Sequence, residues 1–242
     1  MKTINSVIFG LAIVGAAFLL GNAYIQRAET HGTIEVTGLG TVDFVSDLIV
    51  WQGSFEAKNE NMQQAYEELN NNKEVIKNYL ASKGITADEM VFQAINTGYL
   101  YEDNYSPEGK YIGQVQIGYR LTQELIITST DVEKVEKISR EVTELLNQGI
   151  KFYSYSPSYY YTKLADLKLE LIQKATEDAH TRAEKISQNS GSKLGKLIDA
   201  RMGIFQITGQ NSNEDYTWGG AFNTSSKNKT ASITVSLEYQ VK

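Results

Sequence analysis

A chain of 242 residues with 41% hydrophobic and 21% charged side chains has the composition of a polypeptide that buries a core. Its formal net charge of −6, with no stretch dominated by Lys or Arg, excludes a general nucleic-acid binder, because phosphate binding needs a clustered positive field. Cysteine is absent, which removes disulfides, thiolate metal sites, cysteine nucleophiles and the lipid-acceptor cysteine of bacterial lipoproteins together.

In chain order, the first feature is an uncharged stretch over 3–26, between Lys2 and Arg27, with an apolar heart at 7–20 (VIFGLAIVGAAFLL). The heart fits the hydrophobic region of a signal peptide, while the whole stretch is long enough to cross a ~30 Å hydrocarbon core as a helix. Gly21-Asn22-Ala23 offers small residues for cleavage after Ala23. A retained membrane anchor is favoured over a cleaved signal peptide. Either way, residues 1–30 stand apart from a domain at 32–242 that is expected to be exported, to the periplasm or cell envelope.

Ile34-Glu35-Val36-Thr37-Gly38 alternates and reads as a short strand, with Gly38-Leu39-Gly40 as a tight turn. A second strand at 47–56 leads into a helix carrying Met62, Ala65, Tyr66, Leu69, Ile76, Tyr79 and Leu80 at three- and four-residue spacing. Asn61 caps it with Gln64 as reciprocal partner, and Gly84 supplies the left-handed residue that ends it. A strand follows at 90–97, then a polar and aromatic loop at 99–113. The run 115–128 is the clearest strand: Val115, Ile117, Tyr119, Leu121, Leu125 and Ile127 share a face, and only Gln123 breaks it. One apolar and one polar face predict an antiparallel sheet covered on a single side.

Thr130 and Glu133 read as the capping box of a second helix, whose stripe is Val132, Val135, Ile138, Val142, Leu145 and Leu146 and which stops at Gly149. A strand at 151–155 completes a second strand–helix–strand unit. A third helix is predicted over 158–190, with Ala165, Leu169, Ile172, Ala175, Ala179, Ala183 and Ile186 on one face. Its change from large to small residues predicts a close approach to another backbone. Gly191 ends it, a strand resumes over 194–206, 208–230 reads as a mobile loop, and 231–241 closes the chain in strict alternation. The fold class is α+β: an antiparallel sheet with a split βαβ (ferredoxin-like) core, both helices on one face, the long third helix and two further C-terminal strands.

Chemistry-bearing constellations are few. His31 and His180 are the only histidines, and His180 with Glu184 reads as a solvated helical pair rather than a metal site. No nucleophile elbow, complete dinucleotide fingerprint or phosphate loop is present. No catalytic residue, cofactor or metal is therefore expected. The oddest local feature is tyrosine: Tyr99, Tyr101, Tyr105 and Tyr111 in the hairpin segment, and Tyr153, Tyr155, Tyr159, Tyr160 and Tyr161 with Phe152 further on, among 15 in the chain. Such rings bury area while their hydroxyls stay hydrated, so these nine form a candidate interface or ligand patch, with some expected merely to cover a sheet edge.

The order of these pieces resembles the SIMPL-domain family of bacterial exported proteins (YggE-like). The resemblance rests on Ile34-Glu-Val-Thr-Gly-Leu-Gly40, Gly84-Ile85, Gly118-Tyr119, Gly149-Ile150, and Ala175, Ala179, Arg182 and Ala183 leading to Gly191 and Leu194-Gly195. Where the family has Pro-Asp before its second strand, this chain has Ser46-Asp47. The resemblance implies an exported envelope protein without catalytic residues, self-assembling into a homo-oligomer and linked to stress tolerance. The alternative reading is a binding module for an envelope glycan or peptide. A membrane is a partner through the N-terminal segment if that segment is kept, and nucleic acid is not.

Overall fold

The computed structural model describes residues 2–28 and 32–241; His31 lies outside the described residues. The first helix, α1, spans Lys2–Ala28, and its side chains from 10 to 24 are all exposed. Among the described residues no helix is long and apolar enough to cross a membrane, the side chains of α1 being described over 10–24 only. The rest is α+β and divides into two compact units.

The larger unit holds Thr41–Glu170 and Phe205–Ser232. Its sheet centres on β2 (Leu48–Asn59) and β5 (Tyr111–Ser129), paired antiparallel from Ile49↔Ser129 to Asn59↔Tyr119. The short β3 (Met90–Phe92) and the longer β4 (Asn96–Tyr105) line the far edge of β5. Two others, β6 (Phe152–Ser154) and β7 (Ser158–Tyr160), line the far edge of β2. All these pairings are antiparallel. Helices α2 (Met62–Ser82) and α3 (Val132–Glu141) share one core with Ile49, Trp51, Phe55, Leu121, Leu125 and Ile127. Complete burial of side chains this size stabilises by about 1.5–3 kcal/mol each. The opposite face of the sheet carries Gln52, Glu56, Lys58, Arg120 and Glu124 and is polar, as the alternation of the long strand requires.

Both helices stop in the same way. Gly84 and Gly149 adopt φ of 87° and 78°, and the following amides reach back five residues, Ile85 N–H to Leu80 C=O and Ile150 N–H to Leu145 C=O. Both isoleucines then enter the core. A third copy, Ser192 N–H to Ser187 C=O with Gly191 at φ 73°, ends α4 (Leu164–Asn189).

Several elements differ from the sequence reading. The cap of α3 is Asp131, not Thr130, because only Asp131 brings its carboxylate to the N–H of Lys134. Asn61 caps α2 by accepting from Gln63 and Gln64, but its own N–H goes to Asn59 Oδ1, so Gln64 has nothing to reciprocate. After Glu141 the second helix tightens into a 3-10 turn, Val142–Gln148, which leaves Leu146 exposed. The expected strand at 90–97 is two strands, interrupted where the Gln123 side chain enters the core and donates from Nε2 to Gln93 C=O (2.7 Å). Residues 99–113 are mostly strand. Residues 158–160 are β7, so the third helix begins only at Leu164, after Asp47 has taken the N–H and Oγ1 of Thr162, each at 2.7 Å.

The smaller unit holds Leu171–Ile204, the chain from Ile233, and the described residues up to Gly40. Strands β1 (Thr33–Val45), β10 (Asn228–Val241) and β8 (Leu194–Met202) lie in that order, β10 antiparallel to β8 and, over Lys229–Ser232, to the short β9 (Gln206–Gly209). Gly38 and Gly40 are therefore mid-strand residues, not a turn. A Cβ on Gly38 would lie 2.1 Å from the Ala175 oxygen and 2.4 Å from the Ala179 nitrogen; one on Gly40 would lie 2.3 Å from the Leu171 oxygen. The close approach expected of the small-residue face of α4 is thus made to β1. The buried face is Leu171, Ala175, Ala179, Ala183 and Ser187, spaced by four, whereas Leu169 and Ile186 of the predicted stripe are exposed.

Candidate functional site

The structure separates the nine candidate tyrosines by two strands. Tyr99, Tyr101, Tyr105 and Tyr111 lie on the β4–β5 ribbon, which closes through a tight turn at Ser106–Lys110, Gly109 N–H bonding to Ser106 C=O. All four rings are more than half exposed, and so are Ile112 and Val115 beside them. The ribbon has this length because Tyr111–Gln116 pair with Tyr101–Tyr105 through two register shifts, although among the described residues neither face gains a covering element. Rings couple along it: Tyr119–Tyr99 at 5.7 Å, Tyr99–Tyr101 at 6.3 Å and Tyr105–Tyr111 at 5.8 Å between centroids. Val115 and Ile117, expected on the core face, sit beyond the reach of α2 and remain exposed.

Tyr153 and Tyr155 lie across β2, on the polar face, about half exposed. The Tyr153 hydroxyl donates to Glu56 (3.4 Å), and Tyr155 meets Ser54 (3.2 Å). Glu56 also holds Lys58 at 2.6 Å and Arg120 at 3.5 Å, and the bond to Lys58 chiefly keeps its carboxyl below the usual range against the opposing effect of burial. Tyr159 is a core residue, 7% exposed, with its N–H on Thr224 C=O. Tyr160 pairs with Leu48, and Tyr161 packs its ring 4.7 Å from Phe44, both partly covered. Tyr159, Tyr160 and Tyr161 therefore consolidate the sheet edge and present little or no free ring.

A cleft missing from the sequence reading lies where α2 begins beside the root of the ribbon. It measures about 750 Å³ and is walled by Asn61, Met62 and Tyr66 on one side and Ile95, Thr97 and Tyr119 on the other. Met62 and Tyr66 occupy helical core spacing but are exposed, because the strands opposite them leave this gap. The signal available in the sequence was a large apolar pair in the first turns of a helix whose buried stripe begins at Ala65.

His180 is held by the Tyr239 hydroxyl at Nδ1 (3.1 Å) and by Glu184 at Nε2 (3.4 Å). Among the described residues no three of His, Asp or Glu are grouped to hold a metal. The 208–230 segment is tied down at Gln206, whose amide accepts from Ala221 N–H and donates to Thr217 C=O, and at Glu214, which accepts from Gly209 N–H. Near its end Lys229 is 2% exposed, with Nζ donating to Tyr159 C=O. Burial pushes its pKa down to about 8, against the opposing pull of Glu214.

A family model described as "SIMPL: Protein of unknown function (DUF541)" matches residues 34–241. The chain belongs to the SIMPL family. No curated protein matches it. Within this SIMPL chain, the residues that carried the resemblance have structural tasks. Gly38 and Gly40 seat β1 on Ala175 and Ala179, while Arg182 holds Asp178 (2.9 Å), whose carboxylate accepts the Leu39 N–H of that strand (2.9 Å). Gly84-Ile85 and Gly149-Ile150 are helix stops. These residues of the resemblance thus mark a scaffold, whereas Tyr119 of Gly118-Tyr119 lines the cleft, and both ribbon and cleft fall within the matched stretch.

Proposed function

We propose that this SIMPL protein is a non-catalytic component of the cell envelope, exported and membrane-attached through its N-terminal segment, that self-assembles through the β4–β5 ribbon. The observation that carries the reading is the outer ribbon itself: Tyr105, Tyr111, Ile112 and Val115 are exposed on a two-stranded element that nothing among the described residues covers. Two-stranded ribbons are marginal alone, and apolar residues on both faces favour contact with another surface. For the attachment, the support is in the sequence: the uncharged stretch over 3–26 is of the length that a ~30 Å hydrocarbon core requires.

The test is a triple variant, Tyr105→Ser, Ile112→Ser and Val115→Ser, compared with the parent by sedimentation velocity. The variant should sediment as a smaller species with its thermal transition unchanged, because none of the three residues belongs to the core. An unchanged assembly would remove the ribbon from the account. A second reading, a binding module for an envelope glycan or peptide, is favoured by the separate cleft at the ribbon's root, which the outer ribbon residues do not line.

A further inference from the structure

We propose that the cleft between the start of α2 and the root of the β4–β5 ribbon binds an uncharged sugar chain. This rests on the binding reading above and gives it a place and a ligand class. Its size comes first: about 750 Å³, inside the ~300–1,000 Å³ range of small-ligand sites, and open to solvent so that a chain can continue outward.

The aromatic surface comes second. Tyr66 on the helix wall and Tyr119 on the strand wall present partly covered rings to the cleft. Tyr99, 5.7 Å from Tyr119, and Tyr101, 6.3 Å beyond, extend the track along the ribbon. A sugar ring has a C–H face that packs on an aromatic ring while its hydroxyls remain hydrated, and a tyrosine matches both requirements.

Charge and polarity decide the class. The lining contains no Lys or Arg and a single carboxylate, Glu60, so a phosphate, nucleotide or acidic sugar would meet repulsion without a counter-charge. A fatty acyl chain would require an enclosed apolar cavity, whereas this cleft is open and rimmed by amides. The amide groups are also positioned for neutral hydroxyls. Asn61 spends Oδ1 on the N–H groups of Gln63 and Gln64 and keeps its Nδ2 donor. Gln63 spends Nε2 on Glu67 and keeps its Oε1 acceptor. Donor and acceptor thus stand beside an aromatic platform, a combination suited to hydroxyl and acetamido groups.

The test uses the full chain in a zwitterionic detergent that carries no sugar headgroup. The probes are the N-acetylglucosamine trisaccharide, maltotriose, the anionic trigalacturonate and an extended pentapeptide, followed by titration calorimetry and saturation-transfer NMR. At least one neutral trisaccharide should bind, with saturation passing from tyrosine ring protons to sugar C–H protons, and trigalacturonate should bind at least about tenfold more weakly. Tyr66→Ala should weaken the sugar about tenfold and Tyr66→Phe should restore most of the affinity, since stacking needs the ring. Tyr66 lies in the second turn of α2 and is about half exposed, so an unchanged thermal transition in Tyr66→Ala confirms that the fold persists. Full affinity in Tyr66→Ala overturns the cleft assignment. If Tyr153→Ala with Tyr155→Ala abolishes binding instead, the binding reading survives and the site is elsewhere. Preference for trigalacturonate or the peptide overturns the ligand class, and failure of all four probes at millimolar concentration ends both the inference and the reading beneath it.

Discussion

Gly38 shows how much one missing methyl can decide. Two backbones meet where its side chain would stand, and neither the Ala175 carbonyl nor the Ala179 amide can withdraw without bending α4. Gly38→Ala should destabilise the protein by about 3 kcal/mol, read as a lowered thermal midpoint, whereas Gly219→Ala, with nothing within 4 Å, should leave it unchanged. A neutral Gly38→Ala would contradict this packing. The alanines of α4 announced a close approach in the sequence; the matching glycines did not, because a Gly-x-Gly pair in a strand and in a turn is locally the same string.

Lys229 supplies the residue-scale pH prediction. Its folded pKa, about 8, lies below the unfolded value of 10.5, so between them the unfolded chain holds a proton that the folded chain has released. Stability should therefore rise with pH through that window. Denaturant titrations at about pH 8 and about pH 9.5 should show the gain in the parent and its loss in Lys229→Met. An equal slope in both would assign the effect to other groups.

At the scale of elements, the Ser46-Asp47 pair explains a local departure from the family pattern. Ser46 is buried and its N–H donates to Lys227 C=O (2.9 Å), a bond that a proline at this position could not make. Ser46→Pro should cost about 1–3 kcal/mol by leaving that carbonyl unpaired. Asp47→Ala should cost about 1–2 kcal/mol by freeing Thr162 at the entry to α4. Hydrogen exchange should quicken at Thr162 in Asp47→Ala only; exchange at the parent rate would remove this role. Helices α2 and α3 were legible because each buries one stripe and ends in Gly-Ile, so local periodicity and the stop signal agree. The ribbon was not. With neither face buried it has no hydrophobic period, and Pro107, Gly109 and Gly113 gave it the composition of a loop. β7 was hidden for another reason, since its pairing partner, β2, lies more than a hundred residues away in the chain. Gln123, the one fault in the clearest strand, proved to be the residue that stitches the break between β3 and β4.

For the whole molecule, the SIMPL match and the α+β architecture agree with the family resemblance in the sequence, while the nine tyrosines resolve into parts with different tasks. Tyr159 belongs to the core, Tyr160 and Tyr161 consolidate an edge, Tyr153 and Tyr155 decorate the polar sheet face, and the ribbon tyrosines remain available. Sequence could list them but could not sort them, because exposure depends on which strand finds a cover. The envelope-assembly account concentrates its weight on the outer ribbon and assigns ligand capture to the cleft at its root. The most direct measurement is the molar mass of the chain from Gly32 onward, taken by light scattering over a wide concentration range. The account predicts a discrete multiple of the monomer mass, reduced towards the monomer by the ribbon triple variant. A single monomer mass at every concentration, in a sample with an intact thermal transition, would contradict it.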